Sequence, residues 1–212
     1  MFSNADVVIA GAVLQWARES LATPNEKMRR RPGGAPESVC PFVRPSMESD
    51  SFYIDIRHEI NGLRPEPIME AMRKYQETLR SLPPFDAGGQ QKKCVLAVFP
   101  EIPAAAAPVL DLVHAQIKSE YVRVGLMVTQ CYPGCDMRSK RNPELRVYQS
   151  PYPLMALRVM AIHDILFVGD DNEWFTAYNV RFGAKFRNPA TLQDYEQPLL
   201  EEFSRARARF VR

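Results

Sequence analysis

The chain has 212 residues, 46% of them hydrophobic, with 27 Lys and Arg against 25 Asp and Glu. That composition suits a folded globular domain and excludes a wholly disordered chain. A net charge of +2 is too small to produce the field that drives non-specific binding to nucleic acid, and the length suits one domain over residues 1–212.

The first apolar stretch, Val7 to Ala17, is about half the length a bilayer span needs and contains Gln15. Met1 to Asp6 carries an acid where a secretory signal wants positive charge, so a cytoplasmic location is expected. Residues 6–20 read as a helix capped by Asn4 or Asp6 and docked through Trp16. A proline-rich run from Ala22 to Ser51 reads as an irregular, extended segment. Its basic stretch, Met28 to Arg31, reads as a solvated loop, with a phosphate-contacting arm as the alternative.

Phe52 to Ile60 alternates, with Phe52, Ile54, Ile56, His58 and Ile60 on one face and Tyr53, Asp55, Arg57 and Glu59 on the other, as a half-buried strand does. Ile68, Met72, Tyr75 and Leu79 then give an amphipathic helix that stops before Pro83-Pro84. Cys94 to Phe99 is an unbroken apolar run, the pattern of a central strand covered on both faces. Pro108 can open a helix with the stripe Val109, Val113, Ile117 and Tyr121, and Val122 to Gln130 reads as another strand. This βαβαβ outline predicts an α+β fold in which a mixed, partly parallel sheet of about five strands is flanked by helices. Leu145 to Gln149 and Leu154 to Ala161 supply the remaining strands. A helical patch over Trp174 to Arg181 precedes a last helix, 190–211, with the stripe Leu192, Tyr195, Leu199, Phe203, Ala206 and Phe210.

Phosphate-cradling glycine loops, a nucleophile elbow and a His-Glu-x-x-His zinc motif are missing from the sequence. Cys40, Cys94, Cys131 and Cys135 read as thiols rather than as a disulfide framework or a structural metal site. Candidates for chemistry are therefore polar residues where burial makes them expensive. Arg158 interrupts the apolar strand Leu154 to Ala161, either as half of a structural ion pair or as a clamp for a carboxylate. His163 and Asp164 follow at the strand end, as a ligand or proton shuttle with its neighbour, or as a surface histidine beside a turn cap. His58 and His114 read as satisfied, half-buried histidines. Gln130 ends a strand where ligands gather in parallel sheets, so its amide is a candidate orienting group. Arg181 could meet an anion, but packing of the aromatics is the leading reason for its segment.

Cys40-Pro-Phe-Val43, Val95-Leu-Ala-Val-Phe-Pro100, Gly125-Leu-Met127 with Pro133, Ser150-Pro-Tyr-Pro153 with Arg158-Val-Met160, Asp164, Phe167 and Tyr178-x-x-Arg181-Phe-Gly183 resemble an uncharacterised bacterial domain family. Its members often belong to specialised-metabolite gene clusters, and the resemblance spans roughly residues 40–185. The layout is more distantly similar to the YqcI/YcgG group, some members of which are heme-dependent enzymes that N-hydroxylate arginine-like substrates. That similarity implies a heme-dependent oxygenase or oxidase acting on a small amine or amino acid. His163 would be the axial metal ligand and Arg158 would bind a carboxylate or a heme propionate. Asp164 would orient the imidazole, with Gln130 beside the reacting groups and Arg181 and Cys40 against the substrate. One position departs from the pattern, since Val159 follows the motif arginine where the closer family carries a histidine.

The rival reading is a cofactor-free small-molecule-binding accessory protein of a biosynthetic pathway, in which Arg158 and the Cys40 segment line a pocket. A thiol enzyme using Cys40 or Cys131 is the third. The expected partner is a small-molecule substrate, with neither nucleic acid nor membrane and with a homodimer as an open assembly.

Overall fold

The computed structural model describes residues 3–29, 34–62, 64–193 and 196–211. Arg30 and Arg31 of the basic stretch and Tyr195 of the last helical stripe lie outside the described residues. The fold is mixed α and β. In chain order its elements are α1 (Asn4–Trp16), β1 (Pro24–Asn25), β2 (Glu37–Ser38), α2 (Val43–Glu48), β3 (Phe52–Ile56), α3 (Glu66–Ser81), α4 (Ala87–Gln90), β4 (Cys94–Val98), α5 (Val109–Arg123), β5 (Leu126–Cys131), β6 (Leu154–Val159), α6 (Ile165–Val168), α7 (Asn172–Arg187) and α8 (Leu199–Phe210). None of the described helices is long and apolar enough to cross a membrane.

The main sheet has four strands in the order β3-β4-β6-β5, with β3 and β4 parallel and β4 and β6 antiparallel. The expected partly parallel sheet is therefore present, one strand smaller than anticipated. Leu145–Gln149 is not a strand, because its backbone bonds are spent in loops: Leu145 N–H donates to Asn142 and Tyr148 O accepts from Tyr132 N–H. β5 also starts later than expected. Val122 and Arg123 still belong to α5, and the reversal comes at Gly125, whose φ of 77° lies in the left-handed region.

Packing divides the chain into two compact units, Met1–Gln116 with Val128–Arg158, and Ile117–Met127 with Val159–Arg212. In the first unit α1 lies on one face of the sheet, where Ile9 and Val13 pack with Cys94, Leu96, Val98, Cys131 and Leu154. The helix begins one residue before the expected caps: Ser3 accepts from Asp6 N–H and Asp6 reaches back to Ser3 N–H, forming a capping box. Trp16 docks as anticipated. The helix then continues as a π-helical turn, Ala17–Ala22.

α3 packs against β4 and buries Ile68, Met72, Tyr75 and Leu79, the stripe read from the sequence. The second face of β3 also has a partner. Tyr75 donates its hydroxyl to Asp55, and Arg57 donates to Tyr75 Oη at 3.2 Å. Every residue of β4 is buried, as its unbroken apolar run requires. The proline-rich segment is less irregular than its composition suggested. β1 and β2 pair antiparallel, and α2 forms directly after the Cys40-Pro-Phe motif.

The second unit is built on α7 and α8. Phe175, Tyr178 and Phe186 of α7 meet Phe203 and Ala206 of α8, together with Val122, Met127, Met160 and Val168. The rings of Phe186 and Phe203 stack with centroids 4.3 Å apart.

Candidate functional site

In the first unit the motif residues converge. Arg158 stands opposite Cys94 in the β4–β6 register, and its guanidinium carbon lies 3.8 Å from the ring of Phe42. Arg158 is half-buried rather than sealed in the core, and an aromatic face supplies part of its environment. Cys40 is half-buried and packs against the cluster of Ala17, Ala22 and Val43, on which Trp16, Met47 and Phe52 also rest. Trp16 and Phe52 also pack on the cluster that contains Cys94 and Cys131. Burial pushes the Cys94 thiol up to about 12, with Cys40 adding to the shift and the Arg158 cation opposing it. Cys131 is likewise raised by burial and by the three other cysteines. Buried thiols of this kind are inert as nucleophiles.

Beside this cluster runs an open groove of about 680 Å³, lined by Leu14, Arg18, Arg44, Met47, Glu48, Asp50 and Phe52. Phe52 thus lines the groove and packs on the same cluster as Cys40. Arg44 donates to Ala22 O at 3.1 Å. Thr23, also in the lining, donates its hydroxyl to Arg18 O at 2.8 Å. Asp50 sits at φ 50°, the one described non-glycine residue with positive φ. Sequence reasoning missed this groove. The available signal was Arg44, which follows the Cys40-Pro-Phe-Val43 motif directly.

Gln130 is nearly sealed, and its amide nitrogen donates to Asp111 at 2.7 Å while Tyr132 donates to the other oxygen of the same carboxylate at 2.7 Å. Its Oε1 has no hydrogen-bond partner among the described residues. It holds the loop after β5 against α5.

The other candidates fall in the second unit. His163 is half-buried in a 3-10 turn, Ile162–Asp164, and Asp164 is fully buried. The Asp164 carboxylate accepts from Ala161 N–H at 2.8 Å, so it caps the turn. His163 lies beside Glu196. There burial raises the carboxyl, but hydrogen bonds from Lys185 and Gln193 and the nearby charges of Lys185 and His163 carry it below its usual value. Arg181 donates to Ala177 O at 3.0 Å and to Arg123 O at 3.2 Å, closing the C-terminus of α5.

Of the remaining histidines, His58 has both ring nitrogens engaged, with Asp6 at 2.7 Å and Glu101 at 2.9 Å, which leaves it no lone pair for a metal. His114 is half-buried on α5. Among the described residues no group of three or more His, Cys, Asp and Glu side chains could hold a metal ion.

No curated protein and no solved structure matches the chain. A family model described as a domain of unknown function, DUF6875, matches residues 10–193, a span that reaches into both units and includes the Cys40-Pro-Phe motif and every candidate residue but not α8. The chain belongs to the DUF6875 family.

Proposed function

We propose that the protein binds a small amino-acid-like molecule in the groove of the first unit. The observation that carries this reading is the groove's lining, which combines two guanidinium groups, Arg18 and Arg44, and two carboxylates, Glu48 and Asp50, with the apolar side chains of Leu14, Met47 and Phe52. Among the described residues Arg18, Glu48 and Asp50 form no ion pair with one another. A zwitterion bearing a carboxylate, an ammonium group and a short apolar side chain complements all three parts. Its hydrogen bonds to charged groups, weakened by solvent at an open site, suit a Kd of about 0.1–1 mM. The lining offers no imidazole or thiol, which favours binding over catalysis.

Titration calorimetry with leucine, leucinamide and 4-methylpentanoic acid tests the reading. Leucine should bind saturably, each analogue should lose about tenfold or more, and Arg18→Ala should abolish binding of leucine and of the acid. Saturable binding to none of them, or equal binding to all three, overturns it.

A heme-dependent oxidase acting on a small amine or amino acid is the second reading, and it is favoured by the half-buried His163 at the end of β6. Bound heme would supply the dioxygen chemistry, and His163 would hold the iron. The groove has no imidazole and His58 is occupied, so the heme would belong to the second unit. Hemin titration followed by absorption separates the two readings. A stoichiometric Soret band that His163→Ala abolishes supports heme, and free hemin alone rejects it.

A further inference from the structure

The charges of α2 run against its own backbone. Aligned peptide dipoles leave a helix positive at its N-terminus and negative at its C-terminus, so acids suit the first turn and bases the last. α2 has the reverse: Arg44 stands in its first turn and Glu48 in its last, and Asp50 follows just beyond. All three line the groove. Asp50 carries a second local cost. The helix ends with Asp50 N–H donating to Met47 O at 3.3 Å and Ser51 N–H donating to Ser46 O at 2.9 Å, the paired bonds of a Schellman turn. That turn puts Asp50, at φ 50°, in the left-handed position that glycine ordinarily takes. Side chains fix the conformation further, since Ser49 Oγ donates to Pro45 O at 2.7 Å and Ser51 Oγ to Ser46 O at 3.2 Å. No ion pair among the described residues offsets these costs, because none includes Glu48 or Asp50.

Given the groove as an amino-acid site, on which this rests, we propose that Asp50 is the residue that selects the ligand's ammonium group, kept as an acid where the fold alone favours glycine. A non-glycine residue held in a sparsely populated backbone region by its surroundings is a mark of ligand clamps and active sites. Asp50 has a short side chain on a backbone pinned by the turn, so its carboxylate loses less freedom on meeting a cation than the longer Glu48 does. An ammonium group beside it also faces the negative end of α2, and so offsets the repulsion between the carboxylate and the last carbonyls of the helix. Glu48 adds to the negative field of the groove, and Asp50 sets the preference for an amino acid over the corresponding acid.

Titration calorimetry with leucine and 4-methylpentanoic acid, beside urea denaturation, tests this on the full chain and on Asp50→Gly, Asp50→Asn and Glu48→Gln. The wild type should prefer leucine by about tenfold or more. Asp50→Gly and Asp50→Asn should each cut that preference to less than about twofold, and Glu48→Gln should reduce it by a smaller factor than either. Asp50→Gly should also unfold at a higher urea concentration than the wild type, because the glycine relieves the left-handed strain and removes the charge from the helix end. A leucine preference that survives in both Asp50 variants, a loss in Glu48→Gln as large as in Asp50→Asn, or an Asp50→Gly chain less stable than the wild type overturns the proposal and leaves the amino-acid site standing. Wild-type protein that binds neither compound, or binds the two equally, overturns both.

Discussion

The guanidinium of Arg158 lies 3.8 Å from the ring of Phe42 and so joins the apolar strand β6 to the segment that carries Cys40. A planar guanidinium can lie flat on an aromatic face and still direct its N–H groups outward within its own plane. A lysine ammonium cannot do both, so Arg158→Lys should lower stability by about 0.5–2 kcal/mol despite keeping the charge. Phe42→Leu should produce a similar loss in urea denaturation, and the double variant should lose less than the sum of the two. Additive losses would mean that the two side chains do not act on each other.

Gly125 and Gly134 have nearly the same backbone, φ 77° and 79°, but different surroundings. A methyl group on Gly125 would collide with the guanidinium of Arg181, whereas the space around Gly134 is open. Gly134→Ala should therefore cost only the left-handed strain of about 1–2 kcal/mol. Gly125→Ala should cost that and, in addition, the hydrogen bond from Arg181 to Arg123 O. Chemical denaturation of both variants beside Arg181→Ala checks this. Equal losses at the two glycines would show that Arg181 moves aside freely.

Tyr178 is fully buried and donates its hydroxyl to Ile162 O at 2.5 Å, tying α7 to the turn that holds His163. Tyr178→Phe keeps the ring and strands that carbonyl, a change that costs about 1–3 kcal/mol. Tyr53 makes a bond of the same length to Pro83 O at an exposed position, where water can replace it. Tyr53→Phe should change stability by less than about 0.5 kcal/mol. The two midpoints, measured side by side, separate burial from bond length.

The parts of this fold that were legible in the sequence are those where periodicity has a single solution. The stripe of α3 and the unbroken run of β4 each fix an element and what it buries, whereas the alternation of β3 marks a strand that ends at Ile56, short of His58 and Ile60, and leaves Tyr53 as half-buried as Phe52 and Ile54. The strand expected at Leu145–Gln149 failed because a short apolar run bounded by turns looks the same whether or not a sheet edge receives it. Val122 failed likewise, since the end of α5 and the start of β5 share one apolar stretch. For the site, a buried arginine, an acid after a strand and a histidine beside it are the same letters whether they bind a ligand or cap a turn. Asp164 and Arg181 turn out to serve backbone groups. The groove was invisible because Arg18, Arg44 and Asp50 come from separate stretches of chain that only the π-helical turn and α2 bring to one surface.

His58 lies between two carboxylates, Asp6 at 2.7 Å and Glu101 at 2.9 Å, and links α1 to the end of β3 and the loop after β4. Hydrogen bonds to Glu101 and then Asp6 raise its pKa above the ordinary 6.5, while the bond to His58 lowers Asp6 below 3.8. A histidine raised in the folded state contributes stability that is complete below 6.5 and is lost as pH rises through its folded value. A lowered carboxylate contributes stability that is complete above 3.8 and is lost as pH falls through its folded value. The cluster should therefore stabilise the first unit most between those two values. The difference in denaturation midpoint between the wild type and His58→Gln should be largest in that window and shrink on either side. Added salt should diminish it, because the imidazole is partly exposed to solvent. Imidazole proton shifts in nuclear magnetic resonance give a direct reading, with a midpoint above 6.5 expected for His58. An ordinary midpoint, together with a pH-independent stability difference, would show that the carboxylates are spent on solvent instead.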